Sequence, residues 1–196
     1  MKTSLSLKHL FTSRTRIKLI GILFYFPKEI FYIRQLVRLV NEEINSVRRE
    51  LSNLKLAGFL SSEWRAHRLF YQANSQSPLF TDLLTLANKS NGLALSIQEN
   101  LSRLGSVKAV VASLSFLGGD TTQKNHVDLI IVGQVALKEI EKLVKAEEAK
   151  RNHEINYMVM EKAEFQLRQH KHDPFLVDFF LAYPIVIFGS LKDIAN

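Results

Sequence analysis

A short amphipathic helix that carries polar and basic side chains on one face, stops at a glycine and runs at once into a cationic hairpin constrains this chain more than any other feature. The stretch is Phe31 to Gln72, FYIRQLVRLVNEEINSVRRELSNLKLAGFLSSEWRAHRLFYQ. It reads as two short helices, a tight connection and a β-hairpin. The second helix is expected from near Glu43 to Ala57-Gly58, with Ile44, Val47, Leu51 and Leu54 at helical spacing on one face. About 100° per residue puts Asn45, Arg48, Arg49, Ser52 and Asn53 on the opposite side. Side chains of these types reach base edges and phosphates. Gly58 supplies the C-terminal stop. Strands are expected over Phe59 to Arg65 and Leu69 to Gln72, joined by a tip at Ala66-His67-Arg68. The plain alternative is a helical hairpin with a solvated basic face, and Arg48-Arg49 alone fits it. The polar face, the stop glycine and the cationic hairpin together favour DNA binding.

The residues before this stretch complete its outline. Thr12 or Ser13 can cap a first helix over 13–26, in which Ile17, Leu19, Ile20, Ile22, Leu23 and Phe24 form a broad apolar surface. Pro27 ends it, because its ring disfavours helical geometry in the residue before it. A short strand is expected at Glu29-Ile30-Phe31, placed to pair with the hairpin. Tyr32 to Val40 reads as the first helix of the pair, with Ile33, Leu36, Val37 and Val40 as its buried stripe and Asn41 in the turn. Arg34 and Arg38 lie four apart, where they flank a phosphate backbone or are merely solvated. The whole is the outline of a winged helix-turn-helix. Its wing holds Trp64, Arg65, His67 and Arg68. A cationic wing tip lies along phosphates or enters a narrow A·T-rich minor groove. Trp64 is expected to pack under the wing rather than serve as a base-stacking platform, and His67 to meet phosphate or solvent rather than a metal.

Charge distribution points the same way. Net charge is +7 over 196 residues. Residues 1–75 contain 13 Lys+Arg and 5 Asp+Glu, a net +8; residues 76–196 contain 13 and 14, a net −1. The basic excess therefore travels with the helix-turn-helix, as a polyanion partner requires. Apolar content is 46% and charged content 23%, which permits a real core. There is no cysteine, which excludes disulfides and thiolate chemistry. The segment 1–16 lacks the apolar core of a signal peptide, and the longest nearby apolar run, Leu19 to Pro27, is too short to span a bilayer. A cytoplasmic protein with no membrane contact is expected.

Asn74 to Pro78 (NSQSP) is polar punctuation and the expected end of the first domain, 1–75. Residues 76–104 read as a helical linker of two helices, Leu79 to Asn88 and Leu93 to Leu104, with Leu79, Phe80, Leu83, Leu84 and Leu86 as an apolar surface for dimerisation or for packing on its own domain. A dimer would place two readers on two half-sites. From 105 to 196 the texture changes. Strands are expected over 107–114, 127–132 (ended by Gly133), 155–160 and 185–188. Helices are expected over 136–151, with Leu137, Ile140, Leu143 and Val144 inward, over 162–170, and over 175–182, with Asp173-Pro174 at its start. That order describes a small α/β domain on a mixed sheet.

In this arrangement the chain resembles a prokaryotic group that fuses an arsenic-repressor-like winged helix to a minimal nucleotidyltransferase domain of the polymerase-beta superfamily. The resemblance rests on LFTSRTRIKLI, FYIRQLVRLVNEEINSVRRELSNLKLAGFL, VDLIIVG and the DPFL from Asp173 to Leu176. It implies a two-domain α+β fold. It also implies a Gly-Ser turn that holds a triphosphate and an Asp-x-Asp pair that holds Mg²⁺. Here Leu114-Ser115 stands for Gly-Ser and His126-Val127-Asp128 for Asp-x-Asp. Ser115 and Asp128 survive; the glycine and the first carboxylate do not. Leucine obstructs close phosphate approach, and histidine is a poor Mg²⁺ ligand. A third carboxylate is not evident, since the neighbouring strand offers Asn156, with Glu154 just outside.

The sequence therefore predicts a transcriptional regulator that reads double-stranded DNA, as a homodimer, with no cofactor or metal. Its contacts would be Asn45, Ser46, Arg48, Arg49 and Asn53 from the recognition helix and Arg65, His67 and Arg68 from the wing. The second domain would be a nucleotidyltransferase-like fold with a degenerate motif, serving assembly or the sensing of a small molecule or nucleotide, with Gly118, Gly119 and Asp120 near Ser115 as lining. Two alternatives stand beside this: a Mg²⁺-dependent nucleotidyltransferase using Ser115 and Asp128, and an antitoxin-like interaction module. His170-x-His172-Asp173 reads as a helix end followed by a cap rather than a metal site. No P-loop, GxSxG or dinucleotide fingerprint is present.

Overall fold

A computed structural model describes residues 11–120 and 126–195. It shows a mixed α+β chain with two sheets, and backbone packing divides it into two compact units, 1–90 and 91–196. The N-terminal segment considered as a leader lies mostly outside the described residues. No described helix is long and apolar enough to cross a membrane.

The first unit opens with α1 (Arg14–Leu23), capped by Ser13, whose hydroxyl accepts from the Arg16 N–H at 3.2 Å. The strand expected at 29–31 forms instead at β1 (Phe31–Tyr32). Phe31 is the buried residue there, and its antiparallel register with Tyr71 buries both. Next come α2 (Ile33–Val40) and α3 (Ile44–Leu56), separated by Asn41 in a left-handed conformation, φ 49°. Glu43 caps α3, its carboxylate accepting from the N–H groups of Asn45 and Ser46. Gly58 at φ 77° closes the helix. Val47, Leu51 and Leu54 of α3 are buried with Leu19, Leu23 and Phe24 of α1 and Leu36 and Val40 of α2 in one core.

The hairpin follows as β2 (Leu60–Arg65) and β3 (Arg68–Ala73). With β1 it makes a three-stranded antiparallel sheet in the order β1-β3-β2. The register pairs Arg65 with Arg68 and Trp64 with Leu69, so the turn is only Ala66-His67. Both turn residues have positive φ, 41° and 63°, the geometry that matches the twist of a two-residue hairpin. The helix α4 (Phe80–Ser90) closes the unit against α1, with Phe80 beside Phe24 at 6.0 Å between ring centres. The stretch 76–104 is thus two helices, and packing assigns the first to this unit and the second to the next.

The second unit runs α5 (Gly92–Leu104), β4 (Gly105–Ala112), α6 (Leu114–Leu117), β5 (Leu129–Val135), α7 (Leu137–Arg151), β6 (Tyr157–Met160), α8 (Lys162–His170), α9 (Pro174–Leu181), β7 (Ile185–Gly189) and α10 (Lys192–Ala195). The sheet order is β6-β5-β4-β7; β5 and β6 run parallel and the other pairs antiparallel. Side chains on both sheet faces are buried, from Ala109 to Ala112 and from Leu129 to Val132. One face packs on Phe165, Leu176, Phe179 and Ile194. Asp173 caps α9 as the sequence suggests, accepting from the N–H groups of Phe175 and Leu176.

Three expectations for this unit are corrected. Gly133 does not end β5 but lies inside it, opposite a bulge between Val107 and Ala109. A Cβ there would run into the Ser106 carbonyl, so glycine is required by close backbone approach. Leu137 is not inward but 63% exposed, because it occupies the first turn of α7 ahead of the buried Ile140 and Val144. The strand expected to reach Leu114 ends at Ala112, because Ser113 turns the chain into α6 by accepting from the Phe116 N–H.

The turn at Ala66-His67 gives the first prediction. Left-handed backbone costs an L-residue about 1–2 kcal/mol, and Asn-Gly is the pair best suited to this turn. Replacing Ala66→Asn together with His67→Gly is expected to stabilise the protein by about 1 kcal/mol, read as a higher urea midpoint by circular dichroism.

Candidate nucleic-acid interface

The first unit's most conspicuous surface feature is a groove of about 900 Å³ between α2, the start of α3 and the hairpin. Its floor is apolar: Ile33, Val37, Ile44 and Leu69. Its walls carry four arginines from three elements, Arg34 and Arg38 on α2, Arg48 on α3 and Arg68 on β3, together with His67 and Trp64. Helical spacing explains the first pair: residues four apart share a face. Arg48 lies one turn along from Ile44 on α3, and Arg68 follows the hairpin turn.

Tyr32, at the joint of β1 and α2, organises this wall. Its hydroxyl accepts from Arg38 Nη2 at 2.9 Å. Its ring lies 5.3 Å beneath the Arg68 guanidinium, a cation–π contact. Phe70, its register partner, meets the same ring edge-on at 5.9 Å. Two guanidiniums from distant elements are thereby held near one aromatic side chain. Sequence reasoning passed over Tyr32, since a tyrosine before a helix carries no local signal of that role.

Four carboxylates of this unit have hydrogen-bond partners of their own. Glu42 meets Lys18 at 2.6 Å and Arg14 at 3.3 Å. The hydrogen bond from Lys18 holds its carboxyl below the ordinary value. Glu50, 3% exposed, accepts from Arg16 Nε at 2.8 Å. Burial alone would raise its pKa, but the hydrogen bonds from Arg16 and Ser13 prevail and lower it. Glu43 is lowered by the N–H groups of Asn45 and Ser46. Glu63 binds Arg65 at 2.7 Å, and that hydrogen bond lowers the acid and raises the base. Of the four groove arginines only Arg48 acts on one of these carboxylates, through a charge–charge attraction at Glu43 that ranks below the two backbone hydrogen bonds.

The sequence-expected contacts are therefore divided. Arg48, His67 and Arg68 come together in the groove. Asn45, Arg49, Ser52 and Asn53 are exposed along α3 outside it, and Ser46 is half-buried. Asn53 also helps hold the Glu50 carboxylate. Arg65 faces the other side of the hairpin with Glu63. Trp64 does not pack under the hairpin as expected. It is 70% exposed, because the core beneath β2 and β3 is already filled at Leu60, Tyr71 and Ala73, nearer the base.

In the second unit, Asp128 is 6% exposed where β4, β5 and β6 begin or end. Its Oδ2 accepts from the Asn156 N–H at 2.9 Å, its own N–H donates to the Asn156 carbonyl at 2.7 Å, and its carbonyl accepts from the Ser113 N–H at 2.8 Å. Desolvation raises its pKa, against the Asn156 N–H and the nearby His153 and His126, which lower it. Ser115 Oγ lies 3.1 Å from Ser113 Oγ. The Asp120 N–H donates to the Ser115 carbonyl at 2.8 Å, so the turn at Gly118 and Gly119 folds back on Ser115. Glu154 and Asn156 are exposed. Among the described residues no three His, Asp or Glu side chains gather to hold a cation. With Asp128 Oδ2 committed to a backbone N–H, these residues do not fit a two-metal phosphoryl-transfer site.

No family model, no curated protein and no solved structure matches the chain.

Asp128 supplies the second prediction. Its folded pKa is raised, so its contribution to stability is full below the ordinary value of 3.8 and is lost as pH rises through the folded value. Asp128→Asn keeps an acceptor for the Asn156 N–H and removes that loss. The variant is expected to be more stable than wild type at neutral pH and equal to it in acid, measured by urea midpoints across pH.

Proposed function

We propose that the first unit is a winged helix-turn-helix that binds double-stranded DNA, with α3 as the recognition helix and the β2–β3 hairpin as the wing. The observation that carries this reading is the convergence of Arg34, Arg38, Arg48 and Arg68 on one groove while Glu42, Glu50 and Glu63 are ion-paired with other cations. Guanidiniums around a concave surface suit phosphate oxygens, which accept bidentate, charge-assisted hydrogen bonds. The exposed polar side of α3, with Asn45, Arg49, Ser52 and Asn53 beside Arg48, suits base edges. The tip residues Ala66 and His67, both at positive φ, fit a turn whose conformation is kept despite its cost, as at working sites.

On this reading the protein is a DNA-binding regulator that acts as a dimer. Residues 105–196 serve assembly or ligand sensing on a nucleotidyltransferase-like fold without catalysis. The mixed sheet suits such a fold, and the donor set around Asp128 suits the loss of metal chemistry.

Fluorescence anisotropy tests the reading, with the DNA upstream of its own gene set against a scrambled duplex over a salt series. Sequence-selective binding with a steep salt slope is expected; weak and equal binding to both would overturn it. Arg48→Ala and Arg38→Ala are each expected to reduce the salt slope by about 1. Arg49→Ala is expected to cost about 1–3 kcal/mol of specific binding through a base contact. Arg65→Ala, whose side chain is held by Glu63, is expected to change the slope least.

A further inference from the structure

We propose that Trp64 is a stacking platform for an unpaired base, so that the groove prefers DNA with an accessible base face, such as a junction of duplex and single strand, over an uninterrupted duplex. The inference rests on the reading of this groove as a DNA-binding surface and deepens it.

Trp64 is the only tryptophan of the chain and is 70% exposed. So large an aromatic surface left in water is informative where a single exposed leucine is not. Its place in the hairpin explains why the core does not claim it. Along β2, Leu60, Ser62 and Trp64 share one face, opposite Ala73, Tyr71 and Leu69 of β3. Leu60, Tyr71 and Ala73 are buried, but Trp64 stands one residue before the turn, beyond the end of the core. The short turn fixes its backbone there, and Leu69 lies directly across from it.

What surrounds the indole decides its partner. It shares the groove with four guanidiniums and an imidazole, so the partner is an anion of extended form. An intact duplex offers such a surface phosphates, sugars and base edges, while its base faces remain stacked inside. An indole gains little from phosphates. It gains most from a planar π-face, which a nucleic acid presents at an unpaired base and, in a duplex, only at its two ends. The other aromatic of the groove, Tyr32, already has its ring covered by Arg68 and its hydroxyl taken by Arg38. Arginines that grip the backbone beside an exposed indole are the combination that holds a strand at the end of a duplex.

The test uses the full chain and its single tryptophan as reporter. The probes are a blunt duplex and the same duplex extended by a short single-stranded overhang, titrated at several salt concentrations. The junction is expected to quench the tryptophan emission more strongly and to bind about tenfold more tightly. Trp64→Ala is expected to equalise the two affinities, and Trp64→Phe to restore part of the preference. Equal affinities and equal quenching in the wild type would overturn the proposal, as would a preference that survives in Trp64→Ala. Tighter binding to the same junction made of RNA would overturn the choice of DNA. If the wild type prefers neither probe but binds both with a steep salt slope, the stacking role fails and the DNA-binding reading stands. If it binds neither, the DNA-binding reading itself fails.

Discussion

A carboxylate buried on the inner face of a helix has to be paired, and Arg16 pairs Glu50. That contact joins α1 to α3 across 34 residues of sequence. Lys18 makes a second tie, donating to Glu42 and to the Val40 carbonyl at the end of α2. The apolar core supplies most of the favourable free energy between these helices, since burial is non-directional and scales with area. The ion pairs are directional. A partly buried pair contributes little net stability but penalises arrangements that leave one member alone. They therefore fix how α3 sits on α1, and with it the side of α3 that meets solvent.

The same pairing sorts the charge of the unit. Arg14, Arg16, Lys18 and Arg65 are matched to Glu42, Glu50 and Glu63. Of what remains, four arginines are gathered, because α2, α3 and the hairpin converge at Tyr32 and bring them to one concavity. Counting charges gives the sign and the half of the chain. The concentration of field needed for a polyanion depends on which cations are already neutralised.

The second unit shows the opposite economy. Asp128 is buried, its pKa is raised, and its hydrogen bonds go to backbone, where they hold the ends of β4, β5 and β6 together. A carboxylate set to coordinate a cation needs free oxygens and acidic neighbours, and the side chains that act on this one are histidines. Asp128 is thus placed to hold a strand junction, which an uncharged acceptor can do as well.

Much of the local structure was legible in the sequence. Apolar spacing, the Asp173 cap, the stop at Gly58 and the alternation of the hairpin are set by contacts within a few residues, and they place α3, β2, β3, α8 and α9 nearly where expected. A glycine that ends a strand and one that permits a bulge look the same locally, so Gly133 was misread; only the approach of the Ser106 carbonyl distinguishes them. Of the candidate site, the sequence supplied the residue types and most of the groove's charged members, Arg48, His67 and Arg68 as contacts and Arg34 and Arg38 as one of two alternatives. Tyr32 as their organiser, Arg65 turned away to Glu63 and Trp64 left outside the core were decided by tertiary structure alone. Each depends on residues far apart in the chain or on where the core runs out, and neither quantity is written in local spacing.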